Sequence, residues 1–235
     1  MALAGYRMLV GHPGCFLRLA GPWVVLGAAV AALDLASLWA ASAALLLPML
    51  MWAVISVSWC RQVLLNDTCA YAGRLGRREL RYFAIGLLLL APALFLVCGV
   101  AVAAWALAPG DPLSSPWFQW SATEAGLLAY LAVASRLQLI FPAIAVGDSA
   151  VTLRSSVRLT RGAGLAIFLG SVIAAVPLLV PAFSWYLPDD APQALASGIS
   201  NGVDYLATTV SAVVMAGFSA QLYRRQVGGP AAVSA

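Results

Sequence analysis

Side chains able to do chemistry are scarce in this chain, and most of them are arginine. All 13 basic residues are Arg, set against 9 carboxylates and a single histidine, His12, in 235 residues. Without lysine, a phosphate-binding loop of the GxxxxGK[ST] kind and a Schiff-base enzyme are both excluded, because each needs a lysine amine. With one histidine, an HExxH zinc site is impossible and a Ser/His dyad is not expected. His12 and Cys15 are spaced as two metal ligands can be, but no third or fourth ligand accompanies them. Asp189 and Asp190, between Pro188 and Pro192, read as an exposed acidic loop rather than as paired catalytic carboxylates. No general acid/base pair and no nucleophile with its base can be assembled. The expectation is a non-enzyme with no catalytic residue, no metal site and no cofactor.

The arginines themselves carry a pattern. Arg74, Arg78 and Arg81 stand at i, i+4 and i+7, and Arg154, Arg158 and Arg161 repeat that spacing 80 positions on. On a helix it places three guanidinium groups on one face. The second copy has better helix signals. Asp148 or Ser149 can cap its start, Ala150, Leu153 and Val157 form an apolar stripe, and Gly162 can close its end. A short amphipathic helix lying in the headgroup layer of a membrane is expected there. In the first copy Gly73 and Gly76 weaken the helix, and a looser arm that firms up from Arg77 is expected. Two readings of these six arginines are open: they bind anionic lipid or an acidic partner, or they only set topology.

Arg136 stands apart, inside an apolar stretch and roughly midway between Glu124 and Asp148. An arginine at mid-bilayer costs at least about 2.5 kcal/mol, so it must face a cavity, a carboxylate or freed carbonyls. Pro142 removes a helical hydrogen bond and frees the carbonyl of Gln138, next to Ser135 and Arg136 in the chain. Arg136, Gln138 and Pro142 therefore form a candidate intramembrane polar site for a headgroup or small anion. The alternative is an arginine that snorkels past a broken helix and merely joins two helices.

The elements that must hold these groups follow from composition. Of the residues, 63% are apolar and 9% charged, against about half and a quarter in soluble domains. Six apolar runs can be cut at the charges and turns: about 21–37, 38–59, 83–107, 123–146, 163–186 and 203–223. Runs of this length cross a core of roughly 30 Å as helices, and none alternates as a barrel strand would. The fold expected is all-α, a polytopic bundle of six transmembrane helices with short interfacial amphipathic helices on the cytoplasmic side. A cytoplasmic or interfacial segment, 1–20, precedes the single membrane domain, 21–223, and a tail, 224–235, follows it.

Orientation comes from the arginines. Twelve of the 13 fall in the N-terminal segment, two alternate connections and the C-terminal end, while Asp111, Asp189 and Asp190 lie in the opposite connections. The positive-inside rule then puts both termini in the cytoplasm. Trp39, Trp105, Trp117, Trp120 and Trp185 at the outer ends and Trp23 and Trp59 at the inner ends fit an interfacial belt. A cleaved signal peptide is a competing reading of residues 1–36, though it would leave five spans. Cys15, Cys60, Cys69 and Cys98 make no CxxC pair, and free thiols are expected.

The stretch Arg136-Leu-Gln-Leu-Ile-Phe-Pro142-Ala-Ile-Ala-Val146, followed by Ser155-Ser-Val-Arg158-Leu-Thr-Arg161-Gly162, resembles the membrane domain attached to some bacterial glycerophosphoryl diester phosphodiesterases and its stand-alone relatives. Trp59-Cys-Arg61-Gln-Val-Leu-Leu resembles them too, with Cys60 where relatives carry histidine. The resemblance implies a six-helix protein of the bacterial inner membrane and supplies no catalytic residues. The function expected is a non-enzymatic module that organises membrane lipid, in particular anionic phospholipid, or a protein partner at the inner leaflet, with no nucleic-acid partner. The other function class is a small transporter or permease subunit built around Arg136.

Overall fold

A computed structural model of the chain describes residues 2–32, 38–67, 75–107, 116–179 and 193–228. Among these the structure is all helical: α1 (Ala2–Gly11), α2 (Pro13–Ala32), α3 (Leu38–Leu65), α4 (Arg77–Leu107), α5 (Pro116–Leu137), α6 (Ile140–Val146), α7 (Leu153–Leu159), α8 (Gly164–Ala175) and α9 (Gln193–Val227), with a 3-10 turn at Val176–Leu179 after α8. The expected turns at Asp34 to Ser37 and Pro109 to Pro112, the acidic pair Asp189-Asp190, and both Cys69 and Arg74 lie outside the described residues.

The core forms where α9 lies against α3. Every residue from Ser211 to Ala220 of α9 is buried, as expected of a helix apolar on all sides. Met51, Ile55 and Trp59 of α3 face it, and Leu139 and Phe141 at the α5/α6 break close the cluster. Small polar side chains stitch the two long helices together. Ser56 Oγ donates to the Ala212 carbonyl at 3.5 Å and the Cys60 thiol to the Ala216 carbonyl at 3.6 Å. Thr209 and Ser219 return their own hydroxyl protons to Tyr205 and Met215, one turn back, at 2.7 Å each, so these buried hydroxyls are satisfied within the helix.

Two stretches, Leu46–Leu65 in α3 and Gly202–Val227 in α9, are each long and apolar enough to cross a membrane. Three further candidates are bent pairs: α1 with α2 at 92°, α5 with α6 at 57°, and α7 with α8 at 102°. Among the described residues there are thus two to five candidate crossings. The fourth apolar run, expected as one helix, breaks at Gln138 and Leu139. Proline explains the break. Pro142 cannot donate to the Gln138 carbonyl and its ring clashes there, but it fits the first turn of a new helix, where an amide has no partner anyway.

Residues 2–11, read from sequence as part of an interfacial segment, are the helix α1 packed on α9 and α8. Its anchor answers a second proline. Pro177 has no amide to offer the carbonyl of Ile173, four residues earlier; the Val176 amide donates to that carbonyl in a tighter turn, and the Tyr6 hydroxyl adds a second donor at 2.9 Å. Cys60 and Cys98 are free, but Cys15 is disulfide-bonded, which corrects the expectation of free thiols throughout.

The Tyr6 bond makes a testable pair. Tyr6→Phe is expected to lower stability by about 1 kcal/mol in the parent chain, and by clearly less in a Pro177→Ala background, where residue 177 regains its amide. A double-mutant cycle on thermal unfolding measures the difference.

Candidate anion-binding grooves

Arg136 is the penultimate residue of α5, so the bend leaves its carbonyl without an intrahelical donor. Two hydroxyls from α7 and the turn after it replace that donor. Ser156 Oγ donates to the Arg136 carbonyl at 3.1 Å, Thr160 Oγ1 lies 3.0 Å from it with its one proton shared with the Ser156 carbonyl at 2.9 Å, and both residues are fully buried. This fixes how α7 lies. Its polar Ser156 faces the protein, whereas Leu153 (44% exposed), Val157 (45%) and the arginines Arg154 and Arg158 face outward. A helix that presents leucine, valine and arginine together to its surroundings suits an interface between apolar and aqueous phases better than water alone.

The caps of α7 differ from those expected. Its N-cap is Thr152, in a capping box with Ser155, rather than Asp148 or Ser149. It ends at Leu159 with Thr160 as C-cap, rather than at Gly162. Asp148 has other work: its Oδ1 accepts the Ala150 amide at 2.8 Å, and its Oδ2 accepts the Tyr223 hydroxyl at 2.5 Å.

The Arg136 guanidinium runs along Gly164, the first residue of α8, so closely that a Cβ there would overlap three of its atoms. This brings Arg136 beside Arg154, Arg158 and Arg161 around one open groove of about 770 Å³, with Thr152 and Ser155 adding hydroxyls. No carboxylate lines this groove among the described residues. Arg136 and the second arginine arm, separate features in the sequence, are one site in space. The missed signal was the row Ser156, Thr160, Gly164: small residues four apart, which form the seat for residue 136.

Gln138 and Pro142 do not join it. The Gln138 side chain is buried and donates to Ser219 Oγ of α9 at 2.5 Å, and Pro142 is buried within α6. The sequence-read trio of Arg136, Gln138 and Pro142 is therefore divided between two sides of the break.

The first arginine arm is divided as well. Arg78 caps the C-terminal end of α6, where Arg78 Nη1 and Arg61 Nη1 each donate to the Ala145 carbonyl at 3.4 Å. Arg61 is held in turn by Asp67 Oδ2, at 3.1 Å from Nε and 2.5 Å from Nη2. The chain leaves α6 through Gly147 in the left-handed region, φ 81°, with the Arg78 guanidinium stacked over it. Arg77 and Arg81 are exposed, and with Arg78, Gly147, Asp148 and Ser149 they line a second groove of about 320 Å³. Among the described residues no group of three potential ligands could hold a metal ion.

The hydroxyl seat predicts a stability defect. Ser156→Ala with Thr160→Val leaves a carbonyl in a buried junction unmet and is expected to cost about 1–3 kcal/mol. Arg77→Gln, on an exposed side chain, is expected to cost nothing measurable. Thermal unfolding of the purified variants checks both.

Comparison with protein-family models, with curated proteins and with solved structures finds no match to this chain.

Proposed function

We propose that the protein is a non-enzymatic membrane module that binds anionic phospholipid at its arginine-rich end. The observation that carries this reading is the groove where Arg136, Arg154, Arg158 and Arg161 converge with no lining carboxylate among the described residues. Four guanidinium groups held together repel one another unless an anion lies between them, and planar guanidinium forks match phosphate oxygens in pairs. Leu153 and Val157, exposed on the same short helix, supply apolar contact for the chains attached to such a phosphate. A soluble anion would make no use of them.

The accompanying topology is six crossings with both termini on the cytoplasmic face. The five candidates, together with the apolar run of α4 from Phe83 to Leu107, supply the six, and the positive-inside rule puts the arginine ends inside. α7, turned by 102° from α8, is then the inner-leaflet end of that pair's crossing. The resemblance to the membrane domain of bacterial glycerophosphoryl diester phosphodiesterases is consistent with a bacterial inner-membrane address.

Each arginine near an anionic surface is worth about 1 kcal/mol. Arg154→Gln/Arg158→Gln/Arg161→Gln is therefore expected to weaken phosphatidylglycerol retention at least about tenfold in native mass spectrometry of the purified protein. Gly164→Ala is the sharper variant. It displaces only the mobile end of Arg136, so phosphatidylglycerol retention is expected to fall severalfold with the unfolding temperature unchanged or slightly raised. Undiminished retention in both variants contradicts the reading.

A further inference from the structure

The two grooves are neighbours along the chain. Gly147, Asp148 and Ser149 line the smaller and Thr152 the larger. Ser149 and Thr152 are three residues apart, so their Cα atoms are separated by at most about 10 Å. The short α6/α7 connection thus contributes lining residues to both, to the groove of Arg77 and Arg81 at its start and to the groove of Arg136, Arg154, Arg158 and Arg161 at its end. It is held from several directions. Gly147 and Asp148 donate their amides to Ile144 and Ala143 at 3.2 and 2.8 Å, and the Asp148 carboxylate is fixed by Tyr223 and by the Ala150 amide.

The grooves are unequal. The larger has four arginines and, among the described residues, no lining carboxylate. In the smaller, Asp148 subtracts a charge and Arg78, though exposed, is anchored to the Ala145 carbonyl, so Arg77 and Arg81 are the cations given over to the groove. Alone, the smaller groove is a weak anion site. It becomes effective when its anion is tethered to one already bound next door, because the tether makes the second contact intramolecular.

We propose that the two grooves together select a lipid with two phosphates on one headgroup, of the diphosphatidylglycerol type, in which two phosphodiesters are joined by a single glycerol. This rests on the lipid-binding reading above and names the lipid class. The larger groove takes one phosphate, Arg77 and Arg81 take the other, and the bridging glycerol lies across Ser149 and Thr152.

The test is a native mass spectrometry titration of the full chain in detergent, with diphosphatidylglycerol and phosphatidylglycerol compared. The parent protein is expected to retain the two-phosphate lipid at least about tenfold more tightly. Arg77→Gln/Arg81→Gln, both on exposed side chains, is expected to erase that preference and leave phosphatidylglycerol retention intact. Arg154→Gln/Arg158→Gln is expected to weaken both lipids. Equal retention by the parent, or a preference that survives Arg77→Gln/Arg81→Gln, overturns the two-groove proposal while the lipid-binding reading stands. Retention of neither lipid overturns both. Inorganic pyrophosphate is the soluble arm: if it displaces the lipid at equal phosphate concentration, a free diphosphate is the occupant and the lipid assignment is wrong.

Discussion

A helix that stops in apolar surroundings leaves its last carbonyls without donors, and each such carbonyl must find one elsewhere or cost the fold a few kcal/mol. This chain stops its helices often, and its tertiary structure is arranged around the remedies. Tyr6 of α1 adds a second donor, beside the Val176 amide, at Ile173 near the end of α8. Ser156 and Thr160 serve Arg136 at the end of α5. Arg61 and Arg78 serve Ala145 at the end of α6, and Arg224 of α9 serves Val63 at the end of α3. Every donor comes from a different helix or from the turn after one, so the polar repairs also tie the bundle together. At Ala145 and Val63 the donor is a cation at a helix C-terminus, where it meets the negative end of the helix dipole.

The same constraint sorts the arginines into two groups. Arg61, Arg78 and Arg224 each give a guanidinium bond to the backbone and belong to the structure. Arg77, Arg81, Arg136, Arg154, Arg158 and Arg161 have exposed side chains around two grooves. Arg136 connects the groups: its carbonyl is the repaired atom, and its side chain, laid along Gly164, enters the larger groove. The break in the fourth apolar run thus has a consequence beyond topology, since it delivers a cation to the arm formed by α7.

Much of this could be read in the chain beforehand, though not all. Helices without strands followed from the unbroken apolar runs and the low charge. The start of α4 at Arg77 followed from Gly73 and Gly76 just before it. The seat of Arg136 was hidden because periodicity describes one helix at a time, and the row Ser156, Thr160, Gly164 acquires meaning only opposite a partner helix. Pro142 was recognised as a helix breaker, but the break falls earlier, at Gln138 and Leu139, so Arg136 is the penultimate residue of α5 and not a mid-helix residue. Gln138 was grouped with Arg136 by chain proximity, whereas a bend of 57° turns it toward Ser219. The cap at Thr152 was missed because Asp148 and Ser149 are equally good capping residues by type, and Asp148 is taken by Tyr223, 75 positions away.

The lipid-binding proposal puts a phosphate among Arg136, Arg154, Arg158 and Arg161. Photo-crosslinking with phosphatidylglycerol carrying a photoreactive group on its headgroup, followed by peptide mapping, tests it most directly. Adducts are expected to concentrate on the end of α5 and on residues 152–164, and to be lost when Arg154 and Arg158 are replaced by glutamine. Adducts spread evenly over the surface, or confined to peptides remote from α7, would contradict it.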